Sequence, residues 1–350
     1  MNIQTLKNRH RAVREGLSRL KADCLVVTKP ASVTYLTGFT GDDSWAIVLP
    51  GAVVLVTDSR FTEQAAKDCR LCRIIERKDA MVKVVAKFLR TRREIKAPAI
   101  EKSATIADFE GLKKHLHARL RTVSQVIESA RRTKDPGEVA AVREAAKIAN
   151  QALRQTRRKI KPGLTENELA GILDFEIRKS GATNSFETIV AFGPNGSRPH
   201  HRPTNRKLRK NDTVLIDFGV RHNSYCCDVT RCFSVGKSGR LFNKVFAAVQ
   251  EAHAAALKMV KAGVEIKQLD LAAKAVIKKH RLPVYGHGTG HGLGLEVHEL
   301  PVVSSRTKGT LQAGDVITIE PGVYIPGKLG VRIEDDILVT LNGYTMLSNF

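Results

Sequence analysis

Val214-Leu215-Ile216-Asp217-Phe218-Gly219, followed by Cys227-Asp228-Val229-Thr230-Arg231, is the stretch on which the reading turns. An apolar, β-branched run ends in one carboxylate, a turn around His222-Asn223-Ser224 follows, and a second carboxylate opens the return strand. The pattern comes back downstream. Glu320 in Thr318-Ile319-Glu320-Pro321-Gly322 and Glu334 in Arg332-Ile333-Glu334-Asp335-Asp336 flank a turn around Pro326-Gly327-Lys328. A strand-end acid on its own usually caps a turn. That explanation is poor for acids in this number, because burying them without cations is costly or forces protonation. Two strand pairs, each delivering two carboxylates, suggest a pseudo-symmetric layout with metals between them. Gly288-Thr289-Gly290-His291-Gly292-Leu293-Gly294 adds an imidazole. Asp217, Asp228, His291, Glu320 and Glu334 thus form a hard, mostly oxygen donor set, suited to two divalent metals that share carboxylates and activate a water. The residues point to a two-metal hydrolase.

Other histidines surround this set. His287 lies four positions before His291, but the glycines between them argue against a helix and no Glu follows His287, so this is not the zincin motif. His298 sits in Val297-His298-Glu299, and His200 ends the loop Gly193-Pro194-Asn195-Gly196-Ser197-Arg198-Pro199-His200. A lone histidine is more often a surface or satisfied polar residue than a catalyst, and that reading stands for His201, His222 and His280.

The rest of the chain divides in two. Asp23–Thr28, Trp45–Leu49 and Val53–Asp58 read as strands, Phe61–Asp68 and Met81–Arg92 as helices, and Ala97–Ile100 and Ala107–Leu116 as a further strand and helix. This is an α/β domain. A basic stretch, Ala130–Lys134, leads to Asp135-Pro136, an N-cap and a first helical residue. A long helix then runs to about Lys159, Pro162-Gly163 ends it, and Thr165-x-x-Glu168 forms a capping box for the next helix. Two more long helices, Arg240–Lys261 and Ile266–Lys279, lie among antiparallel-looking strands.

Bulk properties narrow the function. At 350 residues the chain exceeds one ordinary core, and no apolar run is long enough to span a bilayer. The N-terminus MNIQTLKNRHRAVREGLSRL lacks an apolar signal core and reads as an ordinary first helix, which favours the cytoplasm. Of the cysteines Cys24, Cys69, Cys72, Cys226, Cys227 and Cys232, only Cys69 and Cys72 have C-x-x-C spacing, so reduced thiols are expected. Cys226 shares the strand parity of Asp228, yet a small buried hydrophobe is the favoured reading of its thiol. The net charge of +23 would attract polyanions, with denser patches at Arg154–Lys161 and Arg202–Lys210. Aromatics are only 5% and no nucleic-acid motif is present, so specific nucleic-acid binding is not expected.

These motifs resemble the pita-bread metallopeptidases, in the aminopeptidase P and prolidase branch. Asp217, Asp228, His291, Glu320 and Glu334 fall in order on that family's metal-ligand positions. By the same resemblance His200, His298 and Glu320 are catalytic, and His287, Arg332 and Tyr324 bind substrate. Tyr35-Leu36-Thr37-Gly38-Phe39 and Thr57-Asp58-Ser59-Arg60 are similar to the branch's smaller domain. The resemblance implies an α/β (α+β) protein: a small creatinase-like N-terminal α/β domain over 1–130 and a C-terminal pita-bread metallopeptidase domain over 131–350. It implies a dinuclear site, with manganese expected and cobalt or zinc as alternatives, and a homodimer acting on proline-containing peptides. A hydroxide bridging the metals would attack the bond preceding proline, with Glu320 carrying the proton. Aminopeptidase P activity is favoured over prolidase. The alternatives are a creatinase-type C–N hydrolase, which would need a broken ligand set, and a basic binding protein on the same fold.

Overall fold

The computed structural model describes residues 3–116 and 118–348. Met1 and Asn2, at the start of the expected first helix, lie outside them. The chain forms two compact units, with the boundary after Arg131.

The first unit is built on a six-stranded mixed sheet. Its strands run in the order Arg73–Glu76, Val53–Thr57, Trp45–Val48, Cys24–Val27, Pro98–Glu101, Arg121–Val123. Cys24–Val27 is antiparallel to Trp45–Val48 and parallel to Pro98–Glu101. All three are buried along their length, which explains their continuous rather than alternating apolar pattern. Helices Met81–Arg90 and Ile106–Leu116 turn Val85, Ala86, Leu89, Leu112 and Leu116 into the same core.

The expected strands and helices of this unit form within a residue or two of their predicted ends. Four elements escaped the pattern. Arg73–Glu76 and Arg121–Val123 are short strands at the two sheet edges, too short and too partly buried to show an apolar period. Pro30–Thr37 is a helix whose N-cap residue, Lys29, offers no capping side chain. Glu101, from a strand distant in sequence, holds the chain just ahead of this helix by accepting the backbone N–H of Thr28 at 2.9 Å and of Lys29 at 3.1 Å. The start of the basic stretch Ala130–Lys134 is not a plain connection: Val126–Arg132 is helical.

In the second unit the capping signals act as the sequence suggests. Asp135 Oδ1 accepts from Gly137 N and Glu138 N, Glu138 Oε2 accepts from Asp135 N, and helix Pro136–Arg157 follows. Val142, Ala145, Ala149 and Ala152 recur at helical spacing and pack on Leu169, Leu173 and Ile177 of helix Glu166–Lys179. Helices Arg240–Met259 and Ile266–Lys279 cover a second core with Ile317, Ile319, Val331 and Ile337.

The two strand pairs repeat one plan. Thr213–Phe218 runs antiparallel to Val229–Ser234, and Val316–Ile319 runs antiparallel to Asp335–Val339. Each pair is extended by a smaller hairpin. The first joins Val220–His222 to Tyr225–Cys226 through Asn223 and Ser224, both at positive φ, as a tight two-residue turn requires. The second joins Gly322–Ile325 to Leu329–Arg332. An antiparallel bridge between Thr230 and Glu334 ties the two plans together.

The fully buried Leu173 should matter more than the half-buried cap Asp135. Leu173→Ala is expected to cost about 3 kcal/mol and Asp135→Ala about 1 kcal/mol, read from urea unfolding of each variant. Equal costs would contradict this account of the helix pair.

Candidate metal centre

Asp217 faces Thr230 across the first strand pair, and Asp228 stands just before the return strand. Glu320 and Glu334 occupy the corresponding ends of the second pair. His291 comes from the short strand Gly290–Gly292, which is antiparallel to Val316–Ile319. One donor atom each of Asp228, His291 and Glu334 lies within 4.8 Å of the others. His291 Nε2 is 3.6 Å from Asp228 Oδ2 and 3.6 Å from Glu320 Oε1. Asp217 Oδ2 is held by Arg332 Nη2.

Close backbone packing puts the imidazole there. A Cβ on Gly290 would lie 1.9 Å from Thr318 O, and one on Gly292 would lie 2.1 Å from Leu300 O. Only glycine fits at either position. His291 Nδ1 donates to Gly292 O at 3.0 Å, which leaves the Nε2 lone pair facing the carboxylates. A second histidine is fixed by a chain of donors. Arg332 Nη1 donates to Tyr324 OH at 2.7 Å, Tyr324 OH to His287 Nε2 at 3.1 Å, and His287 Nδ1 to Gly288 O at 2.7 Å. Glu320 Oε2 stands 3.9 Å from His287 Nδ1, so this carboxylate lies between the two histidines.

The electrostatics follow from burial. Burial, and then the negative charge of neighbouring carboxylates, pushes Asp228 and Glu334 well above the ordinary carboxylate range. Burial pushes Glu320 up to about 8, with Arg332 opposing and Asp217 adding to the rise. Burial lowers His287 and His291 to about 4, so both imidazoles are neutral near pH 7; the His287 lone pair accepts from Tyr324, and that of His291 faces the carboxylates. Asp217 Oδ1 and Asp228 Oδ1 are buried without a hydrogen-bond partner. Crowded acids, orphaned oxygens and a neutral imidazole are what divalent cations would satisfy, and the O/N donor set suits hard or borderline ions.

The remaining residues singled out in the sequence are spread around this pocket. His298 is exposed, with its ring edge-on to His291 at 4.3 Å. His200 is exposed and close enough for its charge to bear on His287. The neighbouring Pro199 O accepts from Arg332 Nη2 at 3.5 Å. His201, by contrast, is buried and paired with Glu166. The Cys226 thiol donates to Leu295 O, and burial pushes it up to about 12, the behaviour of a core thiol.

Several supporting groups were not singled out in advance. Thr230 Oγ1 donates to Glu334 Oε2 at 2.6 Å and accepts from Arg332 Nε at 3.0 Å. Thr230 lies two residues after Asp228, so strand parity could have flagged it. Asp336 Oδ2 accepts from Asp228 N, and Thr318 Oγ1 accepts from His291 N. Those two contacts span over 100 and 27 residues, and no local pattern announces them.

The sequence pattern of metallopeptidase family M24 matches residues 140–341, and that of the creatinase/prolidase N-terminal domain matches residues 9–133. The chain belongs to metallopeptidase family M24. This M24 chain is 35% identical over 337 residues to the uncharacterized peptidase YqhT of Bacillus subtilis, covering 95% of each chain. It superimposes on an Xaa-Pro dipeptidase from Bacillus anthracis with a TM-score of 0.95 and 31% identity, over 99% of this chain and 98% of the other. An X-Pro aminopeptidase from Thermotoga maritima gives a TM-score of 0.88 at 33% identity, over 95% and 97% of the chains. The expected architecture therefore holds: a creatinase-type N-terminal α/β domain and a pita-bread M24 catalytic domain. No described helix is long and apolar enough to cross a membrane.

Metal binding to this M24 pocket must displace protons, because Glu320 titrates near 8 and Asp228 and Glu334 are also raised. Calorimetric titration of metal-stripped protein with manganese at pH 7 should give heats that depend on the buffer's ionisation enthalpy. The dependence should shrink by pH 9, above the Glu320 value. Heats identical in all buffers at pH 7 would contradict the charge picture. Gly290→Ala should weaken metal binding by about tenfold or more, the cost of disturbing a ligand's support.

Proposed function

We propose that this M24 metallopeptidase is an Xaa-Pro peptidase that cleaves the bond preceding proline, with aminopeptidase P activity favoured over prolidase. The observation that carries the reading is the cluster of Asp228, His291 and Glu334 donors within 4.8 Å, with Glu320 and Asp217 beside it. The solved relatives named above, an Xaa-Pro dipeptidase and an X-Pro aminopeptidase, support the choice of bond.

Asp217, Asp228, His291, Glu320 and Glu334 would hold two divalent cations, manganese being the proposed pair. Bound there, the cations supply Lewis acidity and lower the pKa of a water. The protein's own groups do the rest. Arg332 fixes Asp217 and, through Thr230, Glu334, so that the carboxylates keep their places as charge shifts. Glu320, between His291 and His287, moves the proton from the attacking water toward the prolyl nitrogen. That nitrogen is a tertiary amide and has no N–H to recognise, so specificity must come from the shape around the pyrrolidine ring. His287, braced by Tyr324, is placed to bind substrate. His200 or His298, both exposed near the pocket, would donate to the carbonyl oxygen as its charge develops.

Metal-stripped protein with manganese, cobalt or zinc restored should cleave a longer peptide with proline second, and to a lesser degree an Xaa-Pro dipeptide. Cleavage of the dipeptide alone would make the chain a prolidase instead. Asp228→Ala should lower kcat/KM by more than about a hundredfold, beyond the usual cost of disturbing a ligand's support, while the fold persists. Full activity in that variant would rule out the proposed centre.

A further inference from the structure

One buried carboxylate of the second unit lies outside the metal pocket yet is committed entirely to a loop at its edge. Glu166, the first residue of helix Glu166–Lys179, is fully buried. Its Oε1 accepts from Phe192 N at 2.8 Å and from Asn195 Nδ2 at 2.8 Å. Its Oε2 accepts from His201 Nε2 at 2.9 Å, from Thr204 N at 3.0 Å and from Thr204 Oγ1 at 2.6 Å. One oxygen thus grips the segment before His200, and the other grips the segment after it. Burial alone would raise this carboxyl, but the hydrogen bonds from His201, Thr204, Asn195 and Phe192 hold it below its ordinary value. The anion is therefore the form that the loop surrounds.

The same loop is held from the pocket side by different means. Gly196 and Gly330 pack backbone to backbone, so that a Cβ on Gly330 would lie 1.8 Å from Gly196 O. Pro199 O accepts from Arg332 Nη2, the same nitrogen that holds Asp217. Among the described residues the His200 ring has no hydrogen-bond partner, and it is exposed, so its position depends on the backbone that carries it.

We infer that Glu166 is a positioning residue, fixing the loop Gly193–Pro203 so that His200 meets the substrate bound at the metal pocket. The inference rests on the peptidase reading for the role of His200, but not for the loop geometry. A helix N-terminus needs only its own N–H groups satisfied, and Thr165 already caps this one. The Glu166 carboxylate instead spends all its contacts on residues 26 to 38 positions away. A charged acceptor inside the protein makes these bonds stronger than neutral ones and sets the loop in one place.

The test is a double-mutant cycle with Glu166→Gln and His200→Ala, with metal content measured on each protein. The amide keeps the side-chain size but cannot accept at both ends. Hydrogen exchange over residues 192–204 should speed up in Glu166→Gln while metal content stays at the wild-type level. On a peptide with proline second, kcat should fall by about a hundredfold with little change in KM, as for an angstrom-scale misplacement. In the His200→Ala background the same change should cost less than about threefold, since contacting or coupled residues are non-additive. Thr204→Val, which removes one donor and leaves the carboxylate, should show a weaker version of both effects. Fully additive losses, or unchanged loop exchange in both variants, would overturn the inference. Wild-type protein inactive on both proline-second peptides and Xaa-Pro dipeptides with metal restored would overturn the peptidase reading instead. The exchange measurement would still decide the loop.

Discussion

The hydrogen bond from Thr230 Oγ1 to Glu334 Oε2, with the backbone bridge beside it, joins two strand pairs that would otherwise push apart. Each pair ends in carboxylates, and like charges brought together in a buried space repel. Arg332 answers part of that repulsion, bonding to Asp217 and Thr230 at once. The orphaned Asp217 Oδ1 and Asp228 Oδ1 show that the protein's own cations and donors do not complete the job. The unit is a frame that divalent cations would complete, and much of its second-half topology serves to hold those acids a few ångströms apart.

That topology was largely legible. Val214–Phe218 and Val316–Ile319 are short apolar runs that each end at an acid, and the turns Asn223-Ser224 and Pro326-Gly327 announce the hairpins between them. The helix starts at Asp135 and Thr165 were equally plain, because both carry reciprocal capping pairs. Edge strands such as Arg121–Val123 were not, since strands exposed at an edge have no apolar face to display. Within the site, the donors stood out by their motifs, while Arg332 and Tyr324 were visible only through family resemblance. Their importance lies in contacts across the fold, between Arg332 and Pro199 or between His287 and Tyr324, that leave no periodic trace.

The two kinds of histidine around the pocket differ in how they are restrained. His287 and His291 have each ring nitrogen assigned by a neighbour: one donates to a backbone carbonyl and the other faces Tyr324 or the carboxylates. Burial keeps both neutral. His200 and His298 stand in solvent, with one held by its loop and the other resting against the His291 ring. The inner pair is fixed in tautomer by these neighbours, whereas the outer pair is positioned only by the backbone and by ring contact.

The sign of charge is also distributed unevenly. The protein carries a net +23, yet its second unit gathers a buried knot of carboxyl groups whose ionisation burial disfavours. A divalent ion approaching from solution would meet the repulsion of the net charge first and the pull of the pocket's donors only at short range. The consequence is kinetic: entry is slow at low ionic strength and quickens as salt shortens the reach of the outer field. The same field would act on a seated ion, so the pocket's own donors must outweigh it to keep the ion bound.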